Sequence, residues 1–260
     1  MQPSSEAVSQ VERVAIELYE MLRCERGDVA IVNDLNPAVL QRSWGLLQRL
    51  GLGEFDDDAE RCVAVEPAVA VARLLGLCRQ VLLTREGDVA EAVWGTPAGV
   101  APPRWTLDDR TDIRLVAGRR AVAAALADAY RAPASSRFTV HSDPVPEWGR
   151  STRADVEMAG RGVDIRQVYR CRSDLSDGQR RHLQAVTEAG VSVRLDPSPA
   201  IDLIIVDGAS VVLPADPDRP GDALVLIDSA LWAHATRLVA DQCFDAAIDH
   251  AVLVTTSLSA

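Results

Sequence analysis

The chain contains no lysine: all 27 of its basic residues are arginine. A lysine Schiff base and a lysine-dependent phosphate loop are therefore excluded at the outset. Nowhere do eighteen uncharged apolar residues run together, so no membrane-spanning helix is expected. The opening stretch MQPSSEAVSQ has neither the basic start nor the apolar centre of a secretory leader, which makes the cytoplasm the expected location. Cysteine is scarce as well. Five stand at positions 24, 62, 78, 171 and 243 with no CxxC pair, and an odd, scattered set suits neither a disulfide scaffold nor a metal centre, so buried free thiols are expected. His182, His234 and His250 lie far apart on expected helices without H-x-x-H spacing, so no metal and no cofactor is expected. A G-x-S-x-G nucleophile elbow is absent, and Ser135 and Ser136 read as solvated loop serines.

What is present is enough apolar residue, 48% of 260, for one large core or two ordinary ones. A net charge of −11 opposes non-specific attraction to nucleic acid or anionic membrane, so contact with DNA would need a local basic patch.

The apolar spacing Val11, Val14, Ala15, Leu18, Met21 and Leu22 predicts a helix over about 6–24. Asn36 and Pro37 form an N-cap and first-position pair opening a second helix, with Leu40, Trp44, Leu47 and Leu50 on its inner stripe and Gly51 at its end. Between them, residues 28–34 make a poor short helix by propensity. The acidic turn around Asp56, Asp57, Asp58 and Glu60, followed by the extended run from Cys62, signals a hairpin. Three helices and a hairpin make a winged helix-turn-helix over 1–66. Residues 67–94 read as a long linking helix, apolar on more than one face, as in helices that meet a second subunit. The proline- and glycine-bearing 95–111 reads as a linker. From 112 to 260, β-rich runs alternate with helical segments at about 119–131, 176–190 and 229–249. That is an α/β domain whose mainly parallel or mixed sheet is covered on both faces.

This order of elements, and in particular GVDIRQVYR through VSVRLDPSPAIDLIIVDGASVVLP, resembles the TrmB-like regulators and their actinobacterial relatives grouped with LuxR-family regulators. The resemblance implies an N-terminal winged helix-turn-helix, a C-terminal phospholipase-D-like sheet domain and a homodimer. Phospholipase-D enzymes carry H-x-K-x-x-x-x-D, with histidine as nucleophile and lysine holding phosphate. Along this strand the histidine and lysine positions hold Ala200 and Asp202, and only Asp207 is retained. An enzyme built on that motif is not expected, and an unrelated enzyme using Asp202, Asp207 and His141 is the lesser alternative. Asp207 reads either as the start of a turn with Gly208 or as a ligand-binding carboxylate, and the relatives imply a sugar-like, hydroxyl-rich effector. Strand ends in open α/β sheets add His141, Ser142, Asp143, Tyr169, Arg170 and Arg172 as candidates, together with Asp202. His141 also has a purely structural reading.

In a winged unit the second helix reads the major groove, which here would use Gln41, Arg42, Ser43, Gln48 and Arg49. Through residue 75, however, seven arginines face thirteen carboxylates, a balance of −6, and Asp56, Asp57 and Asp58 fall at the wing. The unit is therefore either a DNA reader for an operator or a retained scaffold that binds a protein or peptide.

Overall fold

The computed structural model describes residues 10–24, 36–56, 61–84, 104–108, 111–131, 133–171, 175–199, 201–216, 219 and 221–249. The helix expected over 28–34, the remainder of the linking helix beyond 84, the linker up to 103, Asp57, Asp58, Arg172, Ala200 and His250 lie outside them. Side chains of residues 77–84, Cys78 included, and of residues 104–108 and 111 also lie outside.

Residues three and four apart bury one stripe of α1 (Gln10–Arg23), consisting of Val14, Ala15, Leu18 and Tyr19. Helix α2 (Pro37–Arg49) opens as expected, with the Asn36 side chain accepting from the Ala38 amide at 2.9 Å. Its inward stripe is rotated from the expected one: Leu46 and Leu47 are buried, whereas Leu40 and Trp44 are only partly so. The wing is the antiparallel pair β1 (Gly53–Asp56) and β2 (Arg61–Ala64). A Cβ on Gly53 would stand 2.8 Å from the Trp44 ring, so a larger residue does not fit where the wing leaves the helix. Tyr19 bridges the unit by donating its hydroxyl to the Val65 carbonyl at 2.8 Å. The linking helix α3 (Pro67–Thr84) buries Ala70, Val71 and Leu74.

The sheet begins earlier than expected. β3 (Arg104–Asp108) lies inside the stretch read as linker and pairs antiparallel with β4 (Thr111–Ala117). Trp105 and Thr106 suit a strand, but Pro102, Pro103, Asp108 and Asp109 around them masked the pattern. Helix α4 (Arg119–Arg131) follows, and then comes the parallel part, β5 (Ser136–Pro144), α5 (Arg150–Gly160), β6 (Asp164–Arg170), α6 (Asp177–Glu188) and β7 (Ser192–Asp196). The antiparallel strands β8 (Leu203–Val206), β9 (Ser210–Pro214) and β10 (Ala223–Asp228) complete the body of the sheet. Helix α7 (Ala230–Ala246) ends three residues short of expectation, because Ile248–Asp249 form a short edge strand, β11, against β7. The strand order is β11-β7-β6-β5-β8-β9-β10-β4-β3.

Helices α4, α5 and α6 cover one face of this sheet, over Ile165, Val193, Ile204 and Val212. The other face, with Phe138, Val140, Val168, Ile205 and Val225, meets α7. The same core continues into Ala15, Leu47, Leu52 and Val71 of the winged unit. Pairing directions bring the C-terminal ends of β4, β5, β6, β7 and β9 to one edge, where α4, α5 and α6 all begin. Among the described residues no helix is long and apolar enough to cross a membrane.

Candidate functional site

Alternation along β5 turns Phe138 and Val140 to the α7 face and Arg137, Thr139 and His141 to the other. Parallel register then sets Thr139 beside Gln167 and His141 beside Tyr169. The result is a buried polar cluster beneath the strand-end edge. Arg137 donates through Nη2 to Asp155 Oδ1 at 2.6 Å, and its guanidinium lies 4.9 Å from the centre of the Tyr130 ring. The other Asp155 oxygen accepts from Gln167 Nε2 at 3.0 Å, and Gln167 Oε1 accepts from the Tyr169 hydroxyl at 2.9 Å. Both charges of the ion pair are sequestered, so removing one partner would leave the other uncompensated at a cost of about 3–5 kcal/mol.

His141 stands between two tyrosines. Its ring is nearly parallel to Tyr169, 5.0 Å between centroids, and to Tyr130, 6.1 Å. The Tyr130 hydroxyl lies 3.2 Å from Nε2. One edge of the residue is partly exposed, but protein encloses the ring, and burial lowers its pKa to about 4 against a partial opposing pull from Asp202. It is therefore a neutral imidazole at physiological pH. Burial also raises both tyrosines above the ordinary range. On α6, His182 packs edge-on against Tyr169, and burial lowers its pKa, opposed in part by Asp155. The Gly149 amide donates to Thr152 Oγ1 at 3.1 Å, and that hydroxyl stands 2.9 Å from His182 Nδ1. With the threonine donating, His182 carries its proton on Nε2, an atom that is buried without a partner among the described residues.

Above this cluster, Ser142 donates both its amide and its hydroxyl to the Asp202 carboxylate. Asp143 is exposed and Arg170 partly exposed at the same edge. His141, Ser142, Asp143, Tyr169 and Asp202 thus lie at one edge, and Arg170 ends β6 at that edge but on the α7 face. Asp207 is not at that edge. It lies at the opposite end of β8, with a positive φ of 52°, and its carboxylate accepts from the amides of Ala134, Ser135 and Ser136 and from the Ser135 hydroxyl, all at 2.8–3.2 Å. Burial works to raise its pKa, but these hydrogen bonds outweigh it and hold the group below the usual value. These bonds and the positive φ fit the turn reading of Asp207, and Ser135 is its partner rather than a merely solvated serine.

Tyr130, Arg137, Thr152, Asp155, Gln167 and His182 were not anticipated. An arginine at an inward position of an apolar strand was the available signal. Its partner was hidden because the buried stripe of α5 is Thr152, Asp155 and Met158, too polar to show helical periodicity.

On α2, Gln41, Arg42, Gln48 and Arg49 are exposed, but Ser43 is not. It is fully buried and donates its hydroxyl to the Val11 carbonyl at 2.9 Å, because the rotated inner stripe takes it into contact with α1. Asp56 faces Arg61 across the wing. The thiols of Cys24, Cys62 and Cys243 are free, as expected, but Cys24 is exposed, and Cys62, Cys171 and Cys243 are only part-buried. Among the described residues no group of three or more histidine, cysteine or acidic side chains could hold a metal ion.

The fold and cluster define an α/β protein with an N-terminal winged helical unit and a polar, aromatic-lined strand-end site. No protein-family model matches the sequence, and no curated protein matches it. Among solved structures it is similar to Nuc, a phospholipase D family member from Salmonella typhimurium, with 15% identity, 54% of this chain and 97% of that one covered, and a TM-score of 0.45. It is also similar to NucT from Helicobacter pylori, at 13% identity, 54% and 99% coverage and a TM-score of 0.44. The archaeal chromatin protein TrmBL2 is similar over 95% of this chain and 96% of its own, at 11% identity and a TM-score of 0.41. None of the three lends a residue role to this chain.

Proposed function

We propose that this protein is a non-catalytic, ligand-responsive regulator. A small, uncharged, hydroxyl-rich effector binds at the strand-end mouth formed by His141, Ser142, Asp143, Tyr169, Arg170 and Asp202, and the winged unit reads an operator through Gln41, Arg42, Gln48 and Arg49. The observation that carries this reading is the continuous core that joins the sheet to the winged unit through α7. His234 of α7 meets Glu20 of α1 at 2.7 Å, a packed contact that supports coupling between the sheet and the winged unit. Lack of catalysis is supported by the chemistry of the mouth: His141 is neutral and bonded to Tyr130, Arg137 is committed to Asp155, and Asp202 is an anion where phosphate transfer needs a cation. The reading includes a homodimer joined along α3, supported by the exposed Ala68, Val69 and Ala72.

A thermal-shift screen with sugars and polyols tests the effector site. A binder at about a hundred times its dissociation constant stabilises the protein by about 2.7 kcal/mol, and Asp202→Ala should abolish that shift. A shift that survives Asp202→Ala sinks the proposed mouth.

A second reading, a scaffold that binds a protein or peptide, is favoured by Phe55, which is 52% exposed on the acidic wing. Loss of peptide capture in Phe55→Ser, with no DNA retention by the unaltered protein, would select it over the first.

A further inference from the structure

The polar cluster holds two histidines, and their hydrogen bonds fix opposite tautomers. A neutral imidazole carries one proton, and the partner of one ring nitrogen decides which nitrogen has it. On α6, His182 accepts from Thr152 at Nδ1, so its proton sits on Nε2 and is sealed in the interior. His141 is held the other way round. Its Nε2 lies 3.2 Å from the Tyr130 hydroxyl, which has no other partner among the described residues. Were the imidazole to donate, the phenol proton would be enclosed by protein without an acceptor, the costlier arrangement. Tyr130 therefore donates to Nε2, and the His141 proton sits on Nδ1.

Tyr130 is braced for this role. Its ring lies 4.9 Å from the Arg137 guanidinium, and its carbonyl accepts from Arg137 Nη1 at 3.4 Å. A cation beside the ring favours the phenol as donor. On the other side of the imidazole, the Tyr169 ring stacks within 6° of parallel, and its hydroxyl is committed to Gln167. The free end of the imidazole is Nδ1. It has no hydrogen-bond partner among the described residues and is not one of the side-chain atoms sealed from solvent, so it opens at the partly exposed edge of the residue. The next residue, Ser142, donates its amide and hydroxyl to Asp202. A carboxylate offers about four lone-pair sites, so Asp202 keeps acceptor capacity after both bonds.

We propose that Tyr130 is a positioning residue that fixes His141 as a hydrogen-bond donor in the strand-end mouth, and that the donor receives an effector hydroxyl. A hydroxyl accepts from Nδ1 and donates its own hydrogen bond to Asp202. An ether or carbonyl oxygen satisfies only the first contact, and an ammonium only the second. The hydroxyl rests on the effector reading above; the tautomer does not.

The test is the imidazole nitrogen spectrum of the isotope-labelled full chain at neutral pH, in which protonated and bare ring nitrogens resonate far apart. The chain has four histidines, and His141→Phe assigns the signal by its loss. His141 should show a protonated Nδ1 and a bare Nε2, with His182 the reverse. Tyr130→Phe, which keeps the ring, should turn the single His141 form into a mixture of tautomers. A protonated Nε2 on His141 in the full chain, or an unchanged His141 signal in Tyr130→Phe, overturns the positioning role. Glucose, trehalose, myo-inositol and glycerol are then added in turn. One that raises the melting temperature should move the Nδ1 signal and bind Tyr130→Phe about threefold to tenfold more weakly, as for one lost hydrogen bond. One that stabilises the full chain without moving Nδ1 overturns the hydroxyl assignment. If none of them stabilises it, the effector reading falls and the hydroxyl with it, while the tautomer stands or falls on the spectrum.

Discussion

His141 illustrates how one side chain ties the site to stability. Its folded pKa of about 4 lies below the ordinary histidine value, because burial strips the charged form of water and the nearby Arg137 guanidinium adds repulsion, against a partial opposing pull from Asp202. Between the two values the unfolded chain binds more protons than the folded one, so stability rises with pH across that interval. The contribution is fully present above about pH 6.5, is lost as pH falls towards 4, and amounts to roughly 3 kcal/mol. His182 is shifted in the same direction and adds to the same window. Urea midpoints from pH 7 to 4.5 should therefore decline steeply, and His141→Phe, which keeps the ring stack, should flatten the decline. An unchanged slope in that variant would show that the ring is solvated in the folded state.

At the scale of single elements, the loop between β5 and α5 is held by the start of α6. Gln179 Nε2 donates to the Val145 carbonyl at 2.7 Å, and Glu147 lies against Gly178. A Cβ at that glycine would stand 1.7 Å from the Glu147 carboxylate, so Gly178→Ala forces the carboxylate off the helix end. The loss should be about 1–2 kcal/mol, as for removal of a helix cap, and Glu147→Ala in the same chain should recover most of it. Chemical denaturation of the two single variants and the double variant measures this coupling. Two independent, additive losses would show that the carboxylate does not occupy that space. Neither partner of this contact stands out in the sequence. The residues are 31 apart, and the glycine sits in the first turn of a helix where a small polar residue raises no question. In contrast, Ser176 and Gln179 spell a capping box and the strand of Asp164–Arg170 was plain from its alternation.

At the scale of the molecule, the winged unit and the sheet share one apolar core through α7, with Trp232 and Ala235 buried in it alongside Ala15 and Leu47. Two domains joined by a solvated linker would melt separately, whereas two units joined by a common core unfold together. Calorimetry should show a single transition with equal calorimetric and van't Hoff enthalpies, and resolved transitions for the two units would refute the shared core. This coupling was not legible in the sequence, where residues 95–111 read as a spacer and α7 as an ordinary closing helix. Apolar residues on both sides of α7 are compatible with any buried position, and only the path of the chain decides what lies on each side.

Apart from the strand Arg104–Asp108, the helix Arg150–Gly160 and the edge strand Ile248–Asp249, the amino-acid sequence by itself determined the element types, the winged and α/β division and the absence of lysine chemistry. These are local properties, carried by spacing, capping residues and residue identity. Tertiary structure decided which of the candidate residues meet. It drew His141 and Asp202 to one edge and sent Asp207 to the other, turned Ser43 inward, and found for Arg137 a carboxylate on a helix with no apolar signature. The physical reason is that pairing register and helix rotation are set by long-range packing, to which a side chain's own neighbours in sequence contribute little.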